Sequence, residues 1–149
     1  MSDIRFYQLS GTGLDAALSG LLEKALSRGM RAVVAAGSEE GAERISGMLW
    51  TAEPAGFLPH GTAKDGTPAL QPVFIGPGED NPNGAKLLVV LDGFAPSAPD
   101  AFEMCCIMFD GADESALRRA REAWKALKEG GHALSYWQQD ADGRWQKTA

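Results

Sequence analysis

Two unbroken apolar runs, Leu87–Leu91 and Met104–Phe109, restrict the possible folds more than any other feature of this chain. A strand with one wet face alternates apolar and polar residues, so runs without alternation read as strands buried on both sides. The first of these strands is expected over Lys86–Leu91, and Ile4–Leu9, Met30–Ala36 and Pro72–Ile75 read as further short strands. Between them, Leu14, Leu18, Leu21, Leu22, Ala25 and Leu26 recur at helical spacing, with Thr12 as N-cap and Gly29 as the stop. Ser38 opens a second helix, Glu39 and Glu40 complement its N-terminal dipole, and Ala42, Ile45, Met48 and Leu49 form its buried stripe. Asp113 caps a third helix that runs to about Glu129 and stops at Gly130-Gly131. A short helix is expected near Pro99–Glu103, and Ala133–Trp137 with Arg144–Gln146 suggest a terminal hairpin. Strands alternating with helices predict a mostly parallel sheet covered on both faces, an α/β fold in one domain spanning residues 1–149.

Residues 53–71 carry Pro54, Gly56, Pro59, Gly61, Gly66 and Pro68, and so read as a long loop; Gly76–Gly84 reads as a second. The apolar runs are far shorter than the ~20 residues of a membrane-spanning helix. Met1-Ser2-Asp3-Ile4-Arg5 has no apolar stretch of the secretory kind. The two cysteines, Cys105 and Cys106, are neighbours in a strand and point to opposite faces, which disfavours a bridge between them. A cytoplasmic protein without a membrane partner is expected.

Charge narrows the function classes. Twenty acidic and 14 basic side chains leave a net charge of −6, which opposes non-specific nucleic-acid binding. The cations are uneven: five of the 14 fall between Arg118 and Lys128. At 100° per residue, Arg118, Arg121, Lys125 and Lys128 share an arc of about 80° on the third helix. Ala116, Ala120, Ala123 and Leu127 occupy another face, with Leu117 and Trp124 at the border. An ordinary solvated face with a half-buried tryptophan accounts for this pattern. So does a docking strip for an acidic peptide with an apolar anchor, its carboxylates held by guanidinium forks.

Chemistry-bearing groupings are few. Gly11-Thr12-Gly13-Leu14-Asp15-Ala16 has the G-x-G-x-x-A form of a pyrophosphate-binding turn, and Glu39 could serve as ribose acceptor. A glycine-rich turn that binds nothing is the preferred reading, and no Gly-Lys-Ser/Thr motif is present. A small nucleotide-dependent enzyme using Gly11–Ala16 is therefore the rival function. His60 and His132 are the only imidazoles; His132 opens a strand after a helix stop and reads as structural, and His60, in the Pro-rich loop beside no evident nucleophile, reads as a capping or packing residue. Asp92-Gly93 after a buried strand reads as a turn, and the cysteines as core residues. No metal site is expected. A second surface candidate is Leu49-Trp50 followed by Phe57-Leu58-Pro59-His60, aromatics that cover the core or line a groove for another protein.

With Phe6-Tyr7-Gln8-Leu9, the Met30–Ala36 strand, Leu49-Trp50 … Phe57-Leu58-Pro59-His60 and Arg121-Glu122-Ala123-Trp124-Lys125, the chain resembles the chi subunit of bacterial DNA polymerase III along essentially its whole length. The resemblance implies a non-catalytic protein with a Rossmann-like sheet, no bound nucleotide and no cofactor. Its partner would be the acidic, phenylalanine-ended C-terminal tail of single-stranded DNA-binding protein, with no direct nucleic-acid contact. The tail-binding arginine of the family maps on Arg121, its aromatic neighbour on Trp124 and the next cation on Lys125; Arg118 and Lys128 flank them. The resemblance also implies a psi subunit that tethers the protein to the clamp loader, a contact expected at Trp50, Phe57, Pro59 and His60. Trp124 departs from the familiar tyrosine. Leu117 stands where a basic residue can appear, a charge expected here at Arg118 or Arg119. The segment beyond Trp137 is longer than the family pattern.

Overall fold

A computed structural model of the chain describes residues 3–10, 13–52, 62, 71–139 and 144–149. It is an α/β fold. β1 (Asp3–Leu9), β2 (Ala32–Ala35), β3 (Val73–Gly76), β4 (Leu87–Leu91), β5 (Met104–Asp110), β6 (Ala133–Gln139) and β7 (Trp145–Lys147) form one sheet in the order β3-β2-β4-β5-β1-β6-β7. β1 pairs in parallel with β5 and β6, and β2 in parallel with β3; β7 returns antiparallel along β6. The helices are α1 (Leu14–Ser27), α2 (Glu39–Ala52) and α3 (Glu114–Glu129). The expected parallel sheet and C-terminal strand pair are both present. The turn between the hairpin strands, residues 140–143, lies outside the described residues.

By packing, the chain divides into two compact units, residues 15–88 and residues 1–14 with 89–149. In the first, α1 buries Leu18, Leu22 and Ala25 at helical spacing. It ends at Gly29, whose φ of +76° lets the Gly29 N–H reach the Leu26 carbonyl and the Met30 N–H reach that of Ala25. The Ser38 hydroxyl accepts from the Gly41 N–H at 2.9 Å and so caps α2. Ala42, Ile45 and Leu49 are buried and Met48 is half-buried. β2 is shorter than the Met30–Ala36 run because Met30 finishes the α1 stop and Arg31 is exposed. Asn83 stitches the second loop to the strand starts, its amide donating to the carbonyls of Ala32 (3.1 Å) and Gln71 (2.8 Å).

In the second unit, β1 lies between β5 and β6, which places Ile4 opposite Cys105 and Leu134, and Phe6 opposite Ile107 and Tyr136. The expected short helix is a single 3-10 turn, Pro99–Ala101. It stops early because Phe102 is already extended and the Glu103 carbonyl accepts from the Asp3 N–H, so the chain enters β5 there. The Asp113 carboxylate accepts from the N–H groups of Ser115 (3.0 Å) and Ala116 (3.3 Å), which begins α3.

Candidate functional site

The fold turns the basic strip of the sequence into one face of α3. Ala116, Ala120, Ala123 and Leu127 are buried, and three alanines in that stripe allow the helix axis to lie close to what it covers. The opposite side carries Arg118, Arg121, Lys125 and Lys128, all exposed. Among the described residues none of these four cations forms an ion pair. Glu122 and Glu114 are near in helical spacing, yet their carboxylates stay unpaired with the ridge. The cationic ridge is therefore not neutralised from within the described chain.

Leu117 and Trp124, seven residues apart, are half-buried along one border of the ridge. The indole of Trp124 meets Phe6 edge-on at a centroid distance of 5.3 Å and Tyr136 at 5.8 Å. Tyr136 stacks on Phe6 at 6.0 Å with the rings 9° apart, and Phe109 meets it edge-on at 6.2 Å. Trp124 thus leans on an aromatic floor drawn from β1, β5 and β6, and each such pair contributes about 0.5–1.5 kcal/mol beyond area burial. The Tyr136 hydroxyl donates to the Gln8 side-chain oxygen, which also accepts from the Gln138 amide at 3.2 Å. Burial pushes the Tyr136 phenol above its ordinary range while the Arg121 charge pulls it down, so Arg121 acts electrostatically on the floor beside it.

Arg119 has a different role. Its Nε donates to the Asp92 carbonyl at 2.9 Å, and its guanidinium lies 4.5 Å from the centre of the Phe94 ring. Of the two positions expected to replace the charge absent at Leu117, only Arg118 faces outward with the ridge. Phe94 is the one exposed large hydrophobic side chain among the described residues.

Of the second candidate surface, Trp50 falls within α2, but its side chain lies outside the described residues, as do Phe57, Pro59 and His60. Gly11 and Thr12 of the glycine-rich turn lie outside them too. Ser10, just before that turn, is tied to β6: its N–H donates to the Gln139 side-chain oxygen at 3.0 Å and its hydroxyl to the Gln139 carbonyl at 3.2 Å. Cys105 and Cys106 are fully buried and unbridged, and burial pushes the Cys106 thiol up to about 12, a proton-bearing and unreactive group. His132 sits at the foot of α3 with Nδ1 3.8 Å from the Asp100 carboxylate. Among the described residues no cluster of three His, Cys, Asp or Glu could hold a metal ion, and no helix is long and apolar enough to cross a membrane.

Sequence reasoning found the ridge and Trp124 and missed Phe6, Gln8, Phe109 and Tyr136 as their support. The strand register needed to bring those four together has no local signature.

Comparison with known proteins adds a separate line. The sequence model of the family described as "DNA polymerase III chi subunit, HolC" matches residues 1–135. A protein of Rickettsia prowazekii (strain Madrid E) named "Probable DNA polymerase III subunit chi" is 31% identical over 91 residues. That match covers 61% of this chain and 55% of the relative, so just over half of the relative's length is represented.

Proposed function

Since this chain belongs to the DNA polymerase III chi subunit family, we propose that it is a non-catalytic accessory subunit whose α3 face holds the acidic C-terminal tail of single-stranded DNA-binding protein. By doing so it links coated DNA to the clamp loader. The observation that carries this reading is the unpaired cationic ridge edged by a half-buried indole, on a body of net charge −6. Arg121, Lys125, Arg118 and Lys128 offer charge-assisted hydrogen bonds to carboxylates, and the exposed part of Trp124 takes the apolar end of the peptide. Exposed pairs of this kind are screened over about 8–10 Å, so affinity falls with added salt. We assign the contact with psi, and through it the clamp loader, to Trp50, Phe57, Pro59 and His60, with all 149 residues acting as one domain.

Fluorescence anisotropy with a labelled acidic, phenylalanine-ended peptide tests the reading. Arg121→Ala is expected to weaken binding about five- to tenfold, the factor that about 1–1.4 kcal/mol gives. Undiminished binding by Arg121→Ala would refute it. A labelled single-stranded oligonucleotide serves as counter-probe, and tight, steeply salt-dependent binding without any partner protein would favour direct DNA contact instead.

A further inference from the structure

We infer that residues 145–149 are positioning elements for the peptide site: they fix the backbone of Tyr136 and, through its ring, the indole of Trp124. This rests on the peptide reading above. The family match ends at residue 135, so Tyr136 and everything that holds its outer side lie beyond it.

The hydrogen bonds converge on one residue. The Tyr136 carbonyl accepts from the N–H of Thr148 at 2.8 Å, the N–H of Ala149 at 3.4 Å and the Thr148 hydroxyl at 3.3 Å. The Tyr136 N–H donates to the Ala149 carbonyl at 3.3 Å. β7 continues this pairing, with Lys147 opposite Trp137, Gln146 opposite Gln138 and Trp145 opposite Gln139. Without it the outer edge of β6 at Tyr136 would have a free donor and a free acceptor, the condition in which edge strands fray and slip.

The strap is anchored away from the ridge. Trp145 meets Tyr7 edge-on at 4.9 Å, and Tyr7 stacks with Trp137 at 6.3 Å. Neighbouring residues of a strand point to opposite faces, so Tyr7 and Trp137 lie on the face opposite to Phe6 and Tyr136. The strap therefore adds no charge to the ridge and reaches the site through the strand it holds. The inner edge of β6 keeps its pairing with β1, so loosening the strap spares the sheet. The expected result is a slackened Tyr136 and a less defined rest for Trp124, with the cations unchanged.

Two full-length variants test this. Thr148→Pro removes the shortest donor to Tyr136, and Trp145→Ala removes the anchor on Tyr7. Each is expected to weaken an acidic, phenylalanine-ended peptide about three- to tenfold, with the salt dependence of binding unaltered. The same peptide lacking its final phenylalanine should bind the parent and both variants alike, and Trp145→Phe should restore most of the loss. Parent-like affinity of both variants for the phenylalanine-ended peptide overturns the inference. Arg121→Ala separates the two levels: if it also binds normally, the peptide reading itself fails; if it alone loses binding, only the strap assignment fails. Hydrogen exchange on the unaltered protein covers the case of poorly folding variants. Peptide binding should slow exchange at Tyr136, Thr148 and Ala149, and unchanged exchange there overturns the inference.

Discussion

Replacing Gly93 by alanine should loosen α3 from its support. The turn after β4 carries two left-handed residues, Asp92 at φ +62° and Gly93 at φ +79°. A Cβ on Gly93 would lie 2.5 Å from the Ala116 carbonyl oxygen and 3.2 Å from the Ala120 nitrogen. Both atoms belong to the α3 backbone, so no side chain can turn aside. The left-handed conformation costs an alanine about 1–2 kcal/mol, and forcing an extra methyl into a closed contact about 1–3 kcal/mol. The expected loss is the sum, about 2–5 kcal/mol, or roughly 5–20 °C in Tm at this chain length. Gly131→Ala is the control, because Gly131 has φ +82° and nothing within 4 Å of an added Cβ. It should lose only the backbone contribution, about 1–2 kcal/mol. Urea unfolding followed by circular dichroism measures both, and the difference isolates the approach of turn to helix. If Gly93→Ala costs no more than Gly131→Ala, the close packing of that turn on α3 is refuted.

Asp113→Ala removes a side chain that accepts from two N–H groups at the start of α3; it should cost about 1 kcal/mol, checked by the same unfolding titration, and leave peptide affinity within about twofold. Leu117→Lys places a further cation seven residues before Trp124, where a long side chain can lay its stem on the helix border and keep its charge in water. It should raise affinity for the acidic peptide about two- to fivefold at low salt and steepen the salt dependence, both read by anisotropy. Cys106 gives a pH test. Folding lifts its thiol from 9.0 to about 12, so above pH 9 the unfolded chain releases a proton that the folded chain retains. Its stabilising contribution is complete below pH 9 and falls between pH 9 and 12 by up to about 1.4 kcal/mol per pH unit. Cys106→Ala should flatten the first part of that fall, before the Tyr7 and Tyr136 phenols, also raised by burial, contribute with the same sign.

The sequence revealed those elements whose signals are local. Asp113, Ser38 and Gly29 mark helix ends because capping and the left-handed stop depend on one residue and its near neighbours. The β4 and β5 runs announced themselves because burial on both faces leaves no polar position. β6 extends two residues past Trp137 because Gln138 and Gln139 pair with Gln146 and Trp145 of β7, while Gln8 and Ser10, about 130 residues away in sequence, hydrogen-bond their side chains. No hydrophobic pattern marks a strand held that way. The placement of β1 between β5 and β6 was equally silent, since it depends on which strand pairs with which and not on what any strand contains.

The same distinction runs through the candidate site and explains why only half of it was legible. The direction of a cation on α3 follows from 100° per residue alone, and nothing in the core competes for it. Arg119 shows where that rule runs out, for its wheel position does not reveal that Asp92 and Phe94 engage it. The aromatic floor under Trp124 is wholly a tertiary product, drawn from residues 6, 109 and 136. Charges on long, flexible side chains can move by a residue along the helix and still reach the same carboxylate. A ring packed among three strands has no such latitude. Charge pattern should therefore drift between related chains more freely than the ring geometry beneath it.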